Sequence, residues 1–104
     1  MKVAMIGFTE ETKKDMADAM ENLITQSQCF LFTVVAASPD SLGARWARHN
    51  GAPIEYCKDT SLDGLINSAT YFLIWNDGSK AMHKLIFKIK AAGKHGTVLG
   101  EEYK

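Results

Sequence analysis

Two prolines, two cysteines and no net charge, in a chain of 104 residues, already exclude several kinds of protein. Cys29 and Cys57 stand alone, with no CxxC pair and no histidines spaced as partners. That is neither a disulfide framework nor a zinc site, which takes about four ligands. Both read as reduced thiols, which places the protein in the cytoplasm. Lysine plus arginine and aspartate plus glutamate balance at 12 each. A protein whose main task is to coat DNA or RNA carries a basic excess, so direct nucleic-acid binding is not expected. No apolar run approaches the roughly 20 residues of a membrane span. The opening MKVAMIGFTEE has one lysine and an apolar run too short for a signal peptide, and it reads as a first strand. The chain also lacks GxxxxGKS/T and GxGxxG, so ATPase and dinucleotide dehydrogenase readings have no motif behind them.

What is present is an apolar fraction of 46%, enough for one packed domain, arranged in alternating strand and helix patterns. Residues 3–6 form a short apolar run that ends at Gly7 and reads as a central strand covered on both faces. Thr9 is placed as the N-cap of a first helix, with Glu10 and Glu11 at its positive end, running to about Gln28. Met16, Met20, Leu23 and Ile24 share one face of that helix. A second strand covers 30–37 and breaks at Ser38-Pro39-Asp40-Ser41. The second helix runs from about Leu42 to Asn50, with Leu42, Trp46 and His49 on one face and Asn50-Gly51 as a C-cap signal. Residues 53–57 read as a brief strand near an edge. Asp59, Thr60, Ser61 and Asp63 suit a turn and helix start, with Leu62, Leu65 and Ile66 giving about two turns. Residues 71–75 are a dense aromatic and branched strand. After the polar turn 76–79, a last helix from Lys80 to about Ala92 points Met82, Leu85, Ile86 and Ile89 inward and ends at Gly93. A fifth strand, 95–99, and a tail complete a βαβαβαβαβ order. That order predicts one Rossmann-like three-layer αβα domain over 1–104, with a five-stranded, mainly parallel sheet.

Parallel strands put their carboxyl ends on one edge, where ligands of open α/β sheets sit and where helix N-termini attract anions. Three turns are expected there. The candidate ligand residues are Gly7, Phe8 and Thr9 in the first, Ser38, Asp40, Ser41 and Gly43 in the second, and Trp75, Asp77, Gly78, Ser79 and Lys80 in the third. Structural explanations compete at each. Gly7 serves a tight turn, Thr9, Ser41 and Ser79 serve as caps, and Asp40 serves as a turn acid. Trp46 reads as core, while Trp75, beside a polar turn, suits stacking on a base. His49, His83 and His95 have no acid or nucleophile arranged beside them. Lys80, Lys84 and Lys88 form a helical stripe, joined by Lys90 and Lys94, that makes the last quarter basic while the first helix is acidic. Such asymmetry suits steering of an anionic ligand or docking of a second subunit.

The stretch ASPDSLGARWARHNGAPIEYC resembles a segment of the SLOG superfamily that reads roughly GGA-x-GAD-x-LA-x-x-WA-x-x-x-G-x-P. KVAMIGFT is similar to that family's opening strand and Gly-Ser/Thr turn, and YFLIWNDGSKAMHKLIFKIKAAGKHGTVLG to its last strand-turn-helix-strand. The resemblance implies a Rossmann-like nucleotide binder, in a family that includes cytokinin-activating phosphoribohydrolases and small stand-alone bacterial and phage proteins. It also implies a homodimer. The chain departs from the pattern where the family's paired glycines give way to Ala36, Ala37 and Ser38, with Pro39 inserted. Ala44 stands for an expected acid, and Lys80-Ala81-Met82-His83 replaces a Gly-Thr pair and a following acid. Within those two loops only Gly43 and Asp77-Gly78-Ser79 match. Missing glycines alter a phosphate cradle, and a missing acid removes the group that glycosidic hydrolysis requires. The reading that follows is a small binder of a nucleotide-like molecule, able to sense or sequester it, with no catalytic residue, metal or cofactor. The alternatives are an assembly module that has lost its ligand, and an N-glycosidase or phosphoribohydrolase with Asp40 or Asp77 as acid/base.

Overall fold

Apolar runs without polar alternation need cover on both faces, and the most continuous of them occupy the middle of the sheet. In the computed structural model, which describes residues 1–27, 32–59 and 62–100, the strands are β1 (Lys2–Ile6), β2 (Thr33–Ala36), β3 (Ile54–Tyr56), β4 (Tyr71–Asn76) and β5 (His95–Gly100). They lie in the order β3-β2-β1-β4-β5, and each neighbouring pair is parallel. Val3 of β1 stands opposite Val34 of β2 and Tyr71 of β4, which sets the register at the centre. The helices are α1 (Lys13–Ser27), α2 (Leu42–Asn50), α3 (Leu62–Ser68) and α4 (Lys80–Ala91). Right-handed crossovers in this strand order put α1 and α2 on one face and α3 and α4 on the other. The core agrees. Phe72 and Ile74 of β4 pack with Leu85 and Ile89 of α4, while Tyr71 and Leu73 of the same strand pack with Met20 of α1. The expected α/β domain is therefore present, and its sheet is parallel throughout.

Two local readings need correction, at the start of the first helix and at the end of the second strand. The first helix begins at Lys13, four residues after Thr9. Between them Thr12 N–H donates to Thr9 O at 3.0 Å, Thr9 N–H donates to Thr12 Oγ1 at 2.8 Å, and Thr12 O receives Met16 N–H at 3.1 Å. Thr12, not Thr9, stands just before the helix, because the threonine hydroxyl offers the backbone a hydrogen-bonded turn that competes with helix. On α2, Leu42, Trp46 and His49 do share a face, with His49 exposed and Trp46 packed against the core, while the residues buried directly against the sheet are Gly43, Ala44 and Ala47. Leu42 and Trp46 are half-buried on the side that faces α1. Small side chains let this helix approach closely, and they carry little weight in a hydropathy pattern. The second strand ends at Ala36 and leaves Ala37 exposed. Gln28, Cys29, Phe30, Thr60, Ser61 and the tail 101–104, to which parts of the sequence reading refer, lie outside the described residues.

Candidate functional site

The chain leaves β1 towards β2 on one side of the sheet and leaves β4 towards β5 on the other. The carboxyl ends of these two central strands therefore diverge into helices on opposite faces, and the crevice between them is the topological switch point where such sheets bind ligands.

The β1 turn is held directly against the end of β4. Gly7 has φ of +86°, and a Cβ there would lie 2.6 Å from the Trp75 carbonyl oxygen and 2.8 Å from the Met82 methyl carbon. Only glycine meets both demands, the left-handed backbone and the close approach. The next side chain, Phe8, sets its ring 6.2 Å from Trp75, tilted by 52°. The rest of the loop is tied to α2 through the Glu10 carboxylate, which accepts from Arg45 and also pairs with Lys13 at the start of α1 at 3.2 Å. The Arg45 hydrogen bond, and then that of Lys13, hold the Glu10 carboxyl below its ordinary value.

The β4 turn braces itself. Asn76, buried at the strand end, accepts Gly78 N–H on Oδ1 at 2.9 Å, and Asp77 accepts Ser79 N–H on Oδ1 at 2.9 Å. Hydrogen bonds from the Ser79 side chain and backbone hold the Asp77 carboxyl below its ordinary value. Ser79 caps α4, accepting Met82 N–H on Oγ at 3.2 Å. Gly78, with φ of +81°, faces open space, and Lys80 is exposed at the first position of α4. Behind the turn, Gly100 makes room for Trp75, whose Cε2 would be 2.9 Å from a Cβ at that position.

The β2 turn, one strand over, presents Ser38, Pro39 and Asp40 to solvent. The Ser41 hydroxyl donates to Ser38 O at 2.9 Å and accepts Ala44 N–H at 3.3 Å, capping α2. Gly43 lies under the helix, where a Cβ would sit 3.6 Å from Val34 and 3.7 Å from Met5. It is part of helix–sheet packing and not of the turn surface.

Gly7, Phe8 and Trp75 thus form one contact group, and Asp77, Gly78, Ser79 and Lys80 form the adjoining turn. Thr9 stands in the β1 loop, and Ser38, Asp40 and Ser41 belong to the neighbouring strand end. Asn76, Thr12 and Met82 shape the same edge and were not among the candidates. A polar residue that closes an apolar strand just before Asp-Gly was the available signal for Asn76. The arrangement offers backbone N–H groups at the start of α4, one lysine and two aromatic rings. His49, His83 and His95 are exposed, and among the described residues no group of three or more His, Cys, Asp or Glu is placed to hold a metal. No helix among the described residues is long and apolar enough to cross a membrane. No protein-family model, curated protein or solved structure matches this chain, so the likeness to the SLOG superfamily stands on the residues quoted above alone.

Proposed function

We propose that this protein binds a nucleotide or nucleotide-derived molecule at the carboxyl edge between β1 and β4, and does not turn it over. The observation that carries the reading is the close apposition of Gly7 to Trp75 at the switch point, beside the Ser79-capped start of α4. A phosphate group there meets the free N–H groups of α4 and the Lys80 ammonium, and a base stacks on the Trp75 and Phe8 rings. The Gly7 to Thr9 turn and the Ser38 to Ser41 turn border the ligand. The resemblance to SLOG proteins points the same way. A cytoplasmic sensing or sequestering role, with the chain as a homo-oligomer that is a dimer in its simplest form, completes the reading.

The hydrolase alternative is weaker because Asp77 is engaged by Ser79 and is exposed, so it lacks the setting that raises a carboxyl towards general-acid use. One observation favours the assembly module, namely that the Met82 side chain already fills the space beneath Gly7.

The test is a thermal-shift panel of nucleotides, cyclic dinucleotides and ADP-ribose derivatives. A ligand at a hundredfold excess over Kd adds about 2.7 kcal/mol, which raises Tm by on the order of 10 °C in a domain of this size. The shift should be lost in Lys80→Ala and reduced in Trp75→Ala, and the ligand should be recovered intact after incubation. No shift across the panel transfers the function to the assembly module; a cleaved ligand transfers it to the hydrolase.

A further inference from the structure

We infer that copies of this chain associate head to tail, the outer face of α4 of one copy seating in the groove between α1 and β5 of the next. The inference rests on the self-association in the reading above, in an open form in place of a closed dimer; Trp75 and Lys80 also belong to the proposed ligand site, so it is tested without nucleotide and with variants outside that site.

The donor surface centres on Phe87. Its side chain is 73% exposed, on the side of α4 opposite the buried Leu85 and Ile89. At helical spacing it is ringed by Lys80, His83, Lys84 and Lys90, and α4 contains no acidic residue. Lys88, on the flank, is paired with Asp63 at 3.5 Å, whereas Lys84 and Lys90 take part in no ion pair among the described residues. A single exposed apolar side chain is ordinary. A phenyl ring on a helix face that carries lysines and no acid suits an acidic complement with an apolar floor.

The chain carries that complement itself. On the opposite face of the sheet, a groove of about 510 Å³ runs between α1 and β5. Tyr71, Trp75 and Leu99 contribute its floor, and Asp15 and Asp18 stand on the α1 wall. Among the described residues, no lysine, arginine or histidine lines it and neither aspartate is in an ion pair. A phenyl ring set among Tyr71, Trp75 and Leu99 loses its contact with water, and lysines beside it reach the two carboxylates and the faces of the aromatic rings. A polyanion would satisfy the lysines alone; a second copy satisfies the lysines, the phenyl ring and the acidic groove together.

The geometry also sets the form of the assembly. Groove and α4 lie on opposite faces of the same β4–β5 half of the sheet, so one neighbour cannot engage both. The contact is heterologous and passes from copy to copy instead of closing on a two-fold axis.

Sedimentation velocity and light scattering test this on the whole chain, without nucleotide, from micromolar to millimolar concentration. At low salt the weight-average mass should climb without levelling at two chains. At about 0.5 M salt, where the Debye length is roughly 4 Å, it should fall towards one chain. Phe87→Ser, the pair Asp15→Lys with Asp18→Lys, and the pair Lys84→Glu with Lys90→Glu should each abolish association. All five positions are exposed; Asp15 lies in the first turn of α1 and Lys90 in the last turn of α4, so the charge reversals should lower circular dichroism melts by about a few degrees and leave the folded signal unchanged. Mixing the two charge-reversed proteins should restore association, which neither shows alone. A single-chain mass at every concentration in low salt overturns the inference, as does a plateau at two chains or association that survives the substitutions. So does a monomer whose α4 lysines retain it on anionic vesicles or on nucleic acid, which would assign the stripe to that partner. Failure here leaves the thermal-shift result untouched, because none of the five residues lies in the turns given to the ligand.

Discussion

Against α3 and α4, eight buried residues among those described join in one cluster. Against α1 and α2, the contiguous cluster holds Val3, Met20 and Leu73, and half-buried aromatic side chains such as Phe8, Trp46 and Tyr71 complete it. The first face is closed by two helices that pack branched and aromatic side chains out to β5. The second is closed over β2 and β1, and leaves Tyr71, Trp75 and Leu99 lining an open groove beyond α1. The difference is one of task. The closed face excludes water from large apolar surfaces and draws its cohesion from them. The open face keeps aromatic rings within reach of something other than the chain's own core.

The sharpest way to break this comparison uses adjacent residues of β4 that point to opposite faces. Phe72 is fully buried in the closed face, and Phe72→Ala should cost about 3–5 kcal/mol, lowering Tm by on the order of 15 °C or more. Tyr71 is half-buried, with its hydroxyl on Thr97, and Tyr71→Ala should cost less than half as much. Equal losses in chemical denaturation would show that the open face is no less cohesive than the closed one.

A second pair separates the two turns that meet at the switch point. Gly7→Ala should cost roughly 2–4 kcal/mol, from the left-handed backbone together with the overlap on the Trp75 carbonyl. Gly78→Ala meets nothing within 4 Å, and only the backbone cost of roughly 1–2 kcal/mol remains. If the two variants melt alike, the β1 turn is not pressed against β4 as described.

The smallest effect concerns the ion pairs that tie the β1 loop to α2 on the open face. Glu10 is exposed, and hydrogen bonds from Arg45 and then Lys13 hold its carboxyl below its ordinary value. A depressed carboxyl contributes stability that is present above its unfolded value and is lost as pH falls through its folded one. Glu10→Gln should therefore melt slightly below the parent near neutral pH, and the two should converge once pH has fallen through the lowered value of the Glu10 carboxyl. A gap that persists at low pH would mean the side chain acts through packing and not through charge. High salt at neutral pH should shrink the same gap, as expected of exposed pairs.

The order of elements was legible because each strand is an apolar run bounded by a turn, and because α1 and α4 repeat their apolar residues at helical spacing. Met16 and Met20 on α1, and Leu85 and Ile89 on α4, are buried as that spacing requires. The start of α1 was not legible, since Thr9 and Thr12 are equally good caps one at a time and only their mutual hydrogen bonds decide between them. The buried face of α2 escaped for a different reason. Gly43, Ala44 and Ala47 look neutral in sequence, and their value lies in how near they let the helix come to Met5 and Val34. At the site, the Asp77-Gly78-Ser79 turn could be read directly, because each residue type has a local backbone role. The pairing of Gly7 with Trp75 and Met82 could not, because those residues are about 70 positions apart.

By itself the sequence determined what depends on near neighbours along the chain. It set which segments extend or coil, where Ser41 and Ser79 cap their helices, that alternation demands a parallel sheet, and that α4 is basic while the segment ahead of it is not. The tertiary structure alone decided what depends on distant segments meeting. It placed the switch point between β1 and β4, pressed Gly7 onto the Trp75 carbonyl, buried Gly43 away from the turn it belongs to in sequence, and put the Phe87 face and the acidic groove on opposite sides of the same pair of strands. Local hydrogen bonds and torsions act over a few residues and can be read in order, whereas close packing couples residues by volume and position in space, which no linear pattern records.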